Sequence, residues 1–347
     1  MCYKPKTKAT RGNFLHQSTN SPPAAAFDRQ DQQFQRAFDV LRSGIDQRAF
    51  PGAAVAIAQH GKLIAHKGLG RFTYEATSPI VAADTIYDLA SITKVIATTT
   101  VCMILYERGL FDLKQPLVEL LPEFADAGVD QKDARQQVTL RMLLAHSSGL
   151  PAYIKLFQTF SNKEDLLRQA AQVPLTAAPG TRAEYSDVGF ILLGEVLQKL
   201  TGKPLDQFCQ REIFARLNLA HTCFNPRKEQ RPFIPPTEND QTFRHRVIQG
   251  EVNDENASVL DGVAAHAGCF STVLDVSVFA QCLLRGGSPL VKKETLEIFT
   301  RRQELPPGTS RALGWDTPTQ PSQCGRYFSS RSYGHLGYTG TSLWIDP

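Results

Sequence analysis

Tyr87-Asp88-Leu89-Ala90-Ser91-Ile92-Thr93-Lys94 is the stretch on which the reading of this chain turns. It contains the only S-x-x-K in the sequence, at the point where an apolar segment becomes a helical pattern. Ser91 and Lys94 are three residues apart, so on a helix they share a face. The first helical turn has unpartnered N–H groups and the positive end of the dipole, a setting that favours an alkoxide or a neighbouring oxyanion. Lys94 can accept the hydroxyl proton if burial or a nearby cation lowers its pKa. The alternative is an exposed helix start with a solvated lysine, and four residues do not choose between them.

Working outward, the helical pattern runs from Ser91 through Val95, Ile96, Cys102 and Leu105 to Arg108-Gly109, a cationic last turn followed by a stop glycine. Upstream, Phe34, Phe38, Leu41 and Ile45 predict an amphipathic helix over about 32–48. Ala53–Ala58 and Lys62–His66 form a hairpin about His60-Gly61. Residues 1–30 read as a disordered leader. Downstream, Thr139 caps a helix from Leu140 to His146, and Ser161-x-x-Glu164 and Thr272-x-x-Asp275 read as capping boxes. Asp187 begins a helix that Thr201-Gly202 ends, and another spans about Pro204 to Leu217. Residues 225–261 read as long surface loops, and Gly337–Pro347 alternates like a strand. The plan is α+β: an antiparallel sheet from about 31–90 and 260–347, flanked by helices, with a mostly helical insertion over about 91–259.

Composition excludes several functions. The 347 residues are 42% hydrophobic and 21% charged, ordinary for a globular protein. A net charge of +4, from 38 basic and 34 acidic side chains, argues for neither nucleic acid nor a membrane surface. The densest basic spot, Arg244-His245-Arg246, reads as a solvated loop. No apolar run is long enough for a transmembrane helix. Seven scattered cysteines suggest buried free thiols in a reducing compartment. With no signal peptide visible the chain reads as cytoplasmic, or as exported if its true start lies upstream. There is no G-x-S-x-G elbow, zinc motif or phosphate loop, so neither a metal nor a cofactor is expected. His266, near Asp254 and Glu255, reads as a loop histidine bonded to backbone. The expected partner is a small-molecule substrate, and the oligomeric state is open.

Hydrolysis through Ser91 needs a proton donor for the leaving group. Tyr185-Ser186-Asp187, after the Pro179-Gly180 turn, offers a phenol that a nearby ammonium could tune. His335-Leu336-Gly337 offers a potentially cationic ring beside a glycine, and the N–H of Tyr338 could join that of Ser91 as an oxyanion hole.

These pieces, with Val138–Leu150 and Gly268–Thr272, resemble the serine β-lactamase/penicillin-binding-protein superfamily, nearest its class C-like esterases and D-peptidases. The resemblance runs from about residue 35 to the end. It implies Ser91 as nucleophile, Lys94 as its base partner and Tyr185 as proton carrier, with Asp187 and His335 lining the cleft. It also implies a further strand and C-terminal helix after Pro347, so the chain reads as truncated. Two departures stand out. Leu336 replaces the usual threonine and removes a hydroxyl, and Asp187 replaces the usual asparagine. Both disfavour an efficient β-lactamase and favour esters, small amides or D-amino-acid peptides. A penicillin-binding or sensor module with little turnover is the alternative.

Overall fold

The computed structural model describes residues 27, 29–126, 131–319 and 323–347. The expected leader lies almost wholly outside the described residues, as does Cys2. Helical turns at Gln30–Gln33 and Gln35–Asp46 place Phe38, fully buried, against Ala65 and Leu69 of the first hairpin. That hairpin pairs β1 (Gly52–Gln59) with β2 (Lys62–Gly70). Its turn uses His60 and Gly61 at φ 51° and 73°, the left-handed pair that a two-residue hairpin loop requires.

β3 (Tyr87–Asp88) leads into the Ser91 rod and pairs with β7 (Cys269–Ser271), which also pairs with β4 (Cys223–Phe224). β8 (Tyr333–Leu336) and β9 (Ser342–Ile345) form an antiparallel hairpin. The alternation expected over 337–347 is thus a strand only at its end, because residues 337–341 make the turn. The fold is α+β, and every strand pairing described is antiparallel.

The Ser91 rod is not one continuous α-helix. It opens as a tight turn at Ala90–Ile92, widens to an i→i+5 turn at Lys94–Thr99 and becomes α-helical at Thr100–Glu107. Such wide turns cluster at functional sites. The apolar flanks do bury it: every residue from Ile92 to Leu105 is inaccessible or nearly so, at the centre of one large core. Around it lie the helices Leu140–Leu144, Lys163–Gln172 and Asp187–Thr201, the bent segment from Leu205 to Leu217, and Val273–Leu284. A helix at Lys293–Thr300 was not expected.

Three expectations need correction. The cap at 161–164 is Asn162, whose Oδ1 accepts from Asp165 N–H, so the helix begins one residue later. Residues 225–261 are not mere loop: β5 (Pro236–Asp240) pairs with β6 (Arg246–Gln249), and a short helix follows at Glu255–Val259. Arg244 is not solvated. Its guanidinium meets Asp240 at 2.9 Å and donates to the carbonyls of Val252 and Asn253, while Asp240 also accepts the N–H groups of Thr242, Phe243 and Arg244. This region is organised by polar bonds rather than by apolar alternation, so a hydrophobicity pattern does not reveal it.

Candidate active site

The chain reaches Ser91 through a strained step. Ala90 sits at φ 45°, in the left-handed region that a residue with a Cβ seldom adopts. Asp88 holds it there, one carboxylate oxygen accepting from Ala90 N–H at 2.8 Å and the other from Asn253 N–H at 2.7 Å. Burial pushes the Asp88 carboxyl up to about 6. The β8–β9 turn grips the same step from the other side, where Thr339 and Thr341 hydroxyls donate to the carbonyls of Asp88 and Leu89. Gly337 is required by this closeness, because a Cβ there would lie 2.5 Å from Leu89 O. Tyr338, 85% exposed, follows directly, so its N–H lies in the turn packed on the Ser91 step.

Lys94 is fully buried; its ammonium donates to Ser91 Oγ at 3.0 Å and His266 O at 2.9 Å and forms an ion pair with Asp187 Oδ1 at 2.6 Å. Burial alone would pull this lysine down, but Asp187 and Tyr185 outweigh it and hold the pKa above the ordinary value. His266 is a buried ring whose Nε2 meets Asp254 Oδ1 at 2.9 Å, so its partner is a carboxylate, not backbone as expected. Asp254 in turn caps the Glu255–Val259 helix through Ala257 N–H. Thr98 Oγ1 on Ala265 O and Cys269 N–H on Thr93 Oγ1 fix the rest of this segment to the rod. The Asp187 helix comes close because of Gly194, whose Cβ would stand 2.8 Å from that of Ala265. Among the described residues no group of His, Cys, Asp and Glu is placed to hold a metal ion.

Tyr185 arrives from a distant loop, and its Oη lies 2.7 Å from Ser91 Oγ. A hook over 146–149 holds it. His146, at φ 53°, accepts Ser186 N–H on Nδ1 at 3.0 Å, and its carbonyl accepts Glu184 N–H. Ser186 then caps the helix through Gly189 N–H and donates to Pro151 O. The His146 ring lies between Tyr185 and Phe190, at 4.6 and 5.1 Å. Burial pushes the Tyr185 phenol up, while the Lys94 charge pulls it back, and the net shift is upward.

His335 differs from expectation. It is 4% exposed, and burial with the Lys94 charge pulls its pKa down to about 3, so the ring is neutral rather than cationic. Its Nδ1–H donates to Leu336 O at 2.7 Å, and the ring lies 5.8 Å from that of Tyr185. Leu336 is exposed at 38%, and its side chain offers no polar atom. Asp187 is partly exposed, with its charge turned to Lys94.

The structure therefore brings Ser91, Lys94, Tyr185 and Asp187 together, with His335 at their margin and Gly337 and Tyr338 beside the Ser91 step. Sequence reading missed the supports: Asp88, His146, the Asp254–His266 pair and Arg311, whose Cζ stands 5.5 Å from the Tyr185 ring centre. His146 lies in a segment that itself carried the resemblance, which was the available signal.

Comparison with known proteins shows the family. The family described as Beta-lactamase matches residues 33–347. The chain belongs to the Beta-lactamase family. Among curated family relatives it is 33% identical to an N-acetylmuramyl-L-alanine amidase of Bacillus subtilis (strain 168), over 97% of this chain and 83% of that protein. Among solved folds it resembles EstCE1, a hydrolase with promiscuous acyltransferase activity, with TM-score 0.73 and 22% identity over 92% of this chain and 91% of that one. It also resembles the octameric penicillin-binding protein homologue of Pyrococcus abyssi, with TM-score 0.70 and 22% identity over 90% and 70%. As a member of the Beta-lactamase family the chain is an enzyme, a serine hydrolase in kind.

Proposed function

We propose that this enzyme hydrolyses esters or small amides, D-amino-acid peptides among them, through an acyl-enzyme on Ser91. One observation carries the reading: Ser91 Oγ lies within 3.0 Å of Lys94 Nζ and 2.7 Å of Tyr185 Oη. The raised pKa of Lys94, set beside Ser91 Oγ, His266 O and the Asp187 carboxylate, favours a protonated resting state over the neutral amine expected of it. Lys94 instead acts as a fixed cation that polarises Ser91 and favours phenolate at Tyr185. In its phenolate form, the minority species at neutral pH, Tyr185 takes the serine proton as Oγ adds to the carbonyl carbon. It returns that proton to the leaving atom as the acyl bond breaks. Ser91 N–H and Tyr338 N–H cradle the oxyanion, and Gly337 lets the substrate approach the backbone. Water then attacks the acyl group by the same relay.

Intact-mass spectrometry after exposure to p-nitrophenyl esters and β-lactams tests this. An adduct of one acyl group is expected, located on Ser91 and absent in Ser91→Ala, with a burst of nitrophenol followed by slower turnover. Undiminished turnover in Ser91→Ala would overturn the assignment. A permanent penicilloyl adduct without ester release would point to a sensor instead.

A further inference from the structure

His335-Leu336-Gly337 offers an anion neither a charge nor a side-chain hydroxyl, and a different residue beside Tyr185 offers a cation. His335 is buried and neutral, Leu336 has no hydroxyl, and Lys94 is inaccessible and paired with Asp187. Arg311 differs from all three. Its side chain is 22% accessible, and its nearest carboxylate, Asp316 Oδ2, stands 3.8 Å away, a loose pair. Its charge helps pull down the pKa of both His146 and His335, the two rings against Tyr185.

The backbone fixes this placement. Arg311 bridges to Asp316 across a tight turn, and Asp316 bridges to Gly334 on β8, next to His335. Gly314, at the turn, donates its N–H to Leu144 O at 2.8 Å and packs on Thr99 of the Ser91 rod. The guanidinium is therefore carried on a segment fastened to the rod, to the helix before the His146 hook and to the His335 strand. A planar guanidinium with spare donors is the side chain best matched to a carboxylate.

Its side of the site follows from the chemistry. Tyr185 hands its proton to the leaving atom, so the leaving group lies along the tyrosine, and Arg311 stands against that ring. We propose that Arg311 is the specificity-determining residue that selects substrates whose leaving group carries a free carboxylate. This rests on the Ser91–Tyr185 reading above.

The experiment compares two esters that differ only in the leaving group: the benzoylglycyl ester of lactic acid and that of lactamide. The wild-type enzyme is expected to prefer the carboxylate in kcat/KM by about tenfold or more. Added salt should shrink this preference. Arg311→Met should abolish the ratio, chiefly by raising KM for the anionic ester, and Arg311→Lys should restore part of it. Equal losses on both esters would mean that the cation only packs Tyr185, which overturns the proposal, as would an unchanged ratio in Arg311→Met. Wild-type turnover of both esters without preference would defeat the role of Arg311 alone. Turnover of neither, with Ser91 unacylated, would instead defeat the hydrolase reading and this inference with it.

Discussion

Among the described residues two basic side chains, Arg135 and Lys94, are entirely buried, and they are held in opposite ways. Arg135 stacks 3.9 Å over Phe124 and gives its guanidinium hydrogens to the carbonyls of Phe124, Ala171 and Val173. No ion pair to its side chain is present among the described residues, and burial pulls it down to about 10, so it stays charged at neutral pH. Lys94 is buried as deeply, but its partners are a carboxylate, one carbonyl and a nucleophilic hydroxyl, with a phenol across that hydroxyl. Both satisfy the demand that a buried charge be compensated. Arg135 does so with groups that cannot exchange protons, and it ties three backbone segments together. Lys94 does so with groups that can. Burial of a cation therefore does not mark a site; the proton chemistry of its partners does.

Replacement of each cation by methionine is the sharpest way to break this contrast. Lys94→Met should slow acylation of Ser91 by about a thousandfold. Arg135→Met leaves three buried carbonyls without partners and should cost about 3 kcal/mol of stability or more. Its folded fraction should acylate at the normal rate. Active-site titration beside thermal unfolding separates the two, and the contrast falls if Lys94→Met unfolds the protein more than Arg135→Met does.

A smaller effect is expected at Asp187. This carboxylate raises both Lys94 and Tyr185, so the proton-accepting form is scarce at neutral pH and kcat/KM should climb on the alkaline side. Asp187→Asn removes the negative charge that favours the proton on both groups. The alkaline climb should move to lower pH by about one unit, with a gain near pH 7 of about tenfold. An unmoved profile would show that Asp187 does not govern the pair. The smallest expected effect is none: because His335 is already neutral, KM should stay flat from about pH 5.5 to 8. A KM that rises through the imidazole range would return to His335 the cationic role the structure takes from it.

The chemistry was legible in the sequence because S-x-x-K on a helical turn and a phenol at a helix start are local patterns. Their convergence was not, since Ser91 and Tyr185 are 94 residues apart and the hook that joins them depends on His146 at positive φ. The charge of His335 was misread for a related reason. A histidine's pKa is set by what surrounds it, and in this fold that is burial beside Lys94. Asp254 and His266 looked like incidental loop residues, since their pairing joins two segments that only the fold brings together.

By itself the sequence determined the α+β plan, the buried rod and its capped neighbours, because apolar period and caps act within a few residues. Tertiary structure alone decided the 5.5 Å approach of Arg311 to Tyr185, the triple hold on Lys94 and the neutrality of His335. Those depend on distances and desolvation between remote segments, and neither quantity exists until the chain has folded.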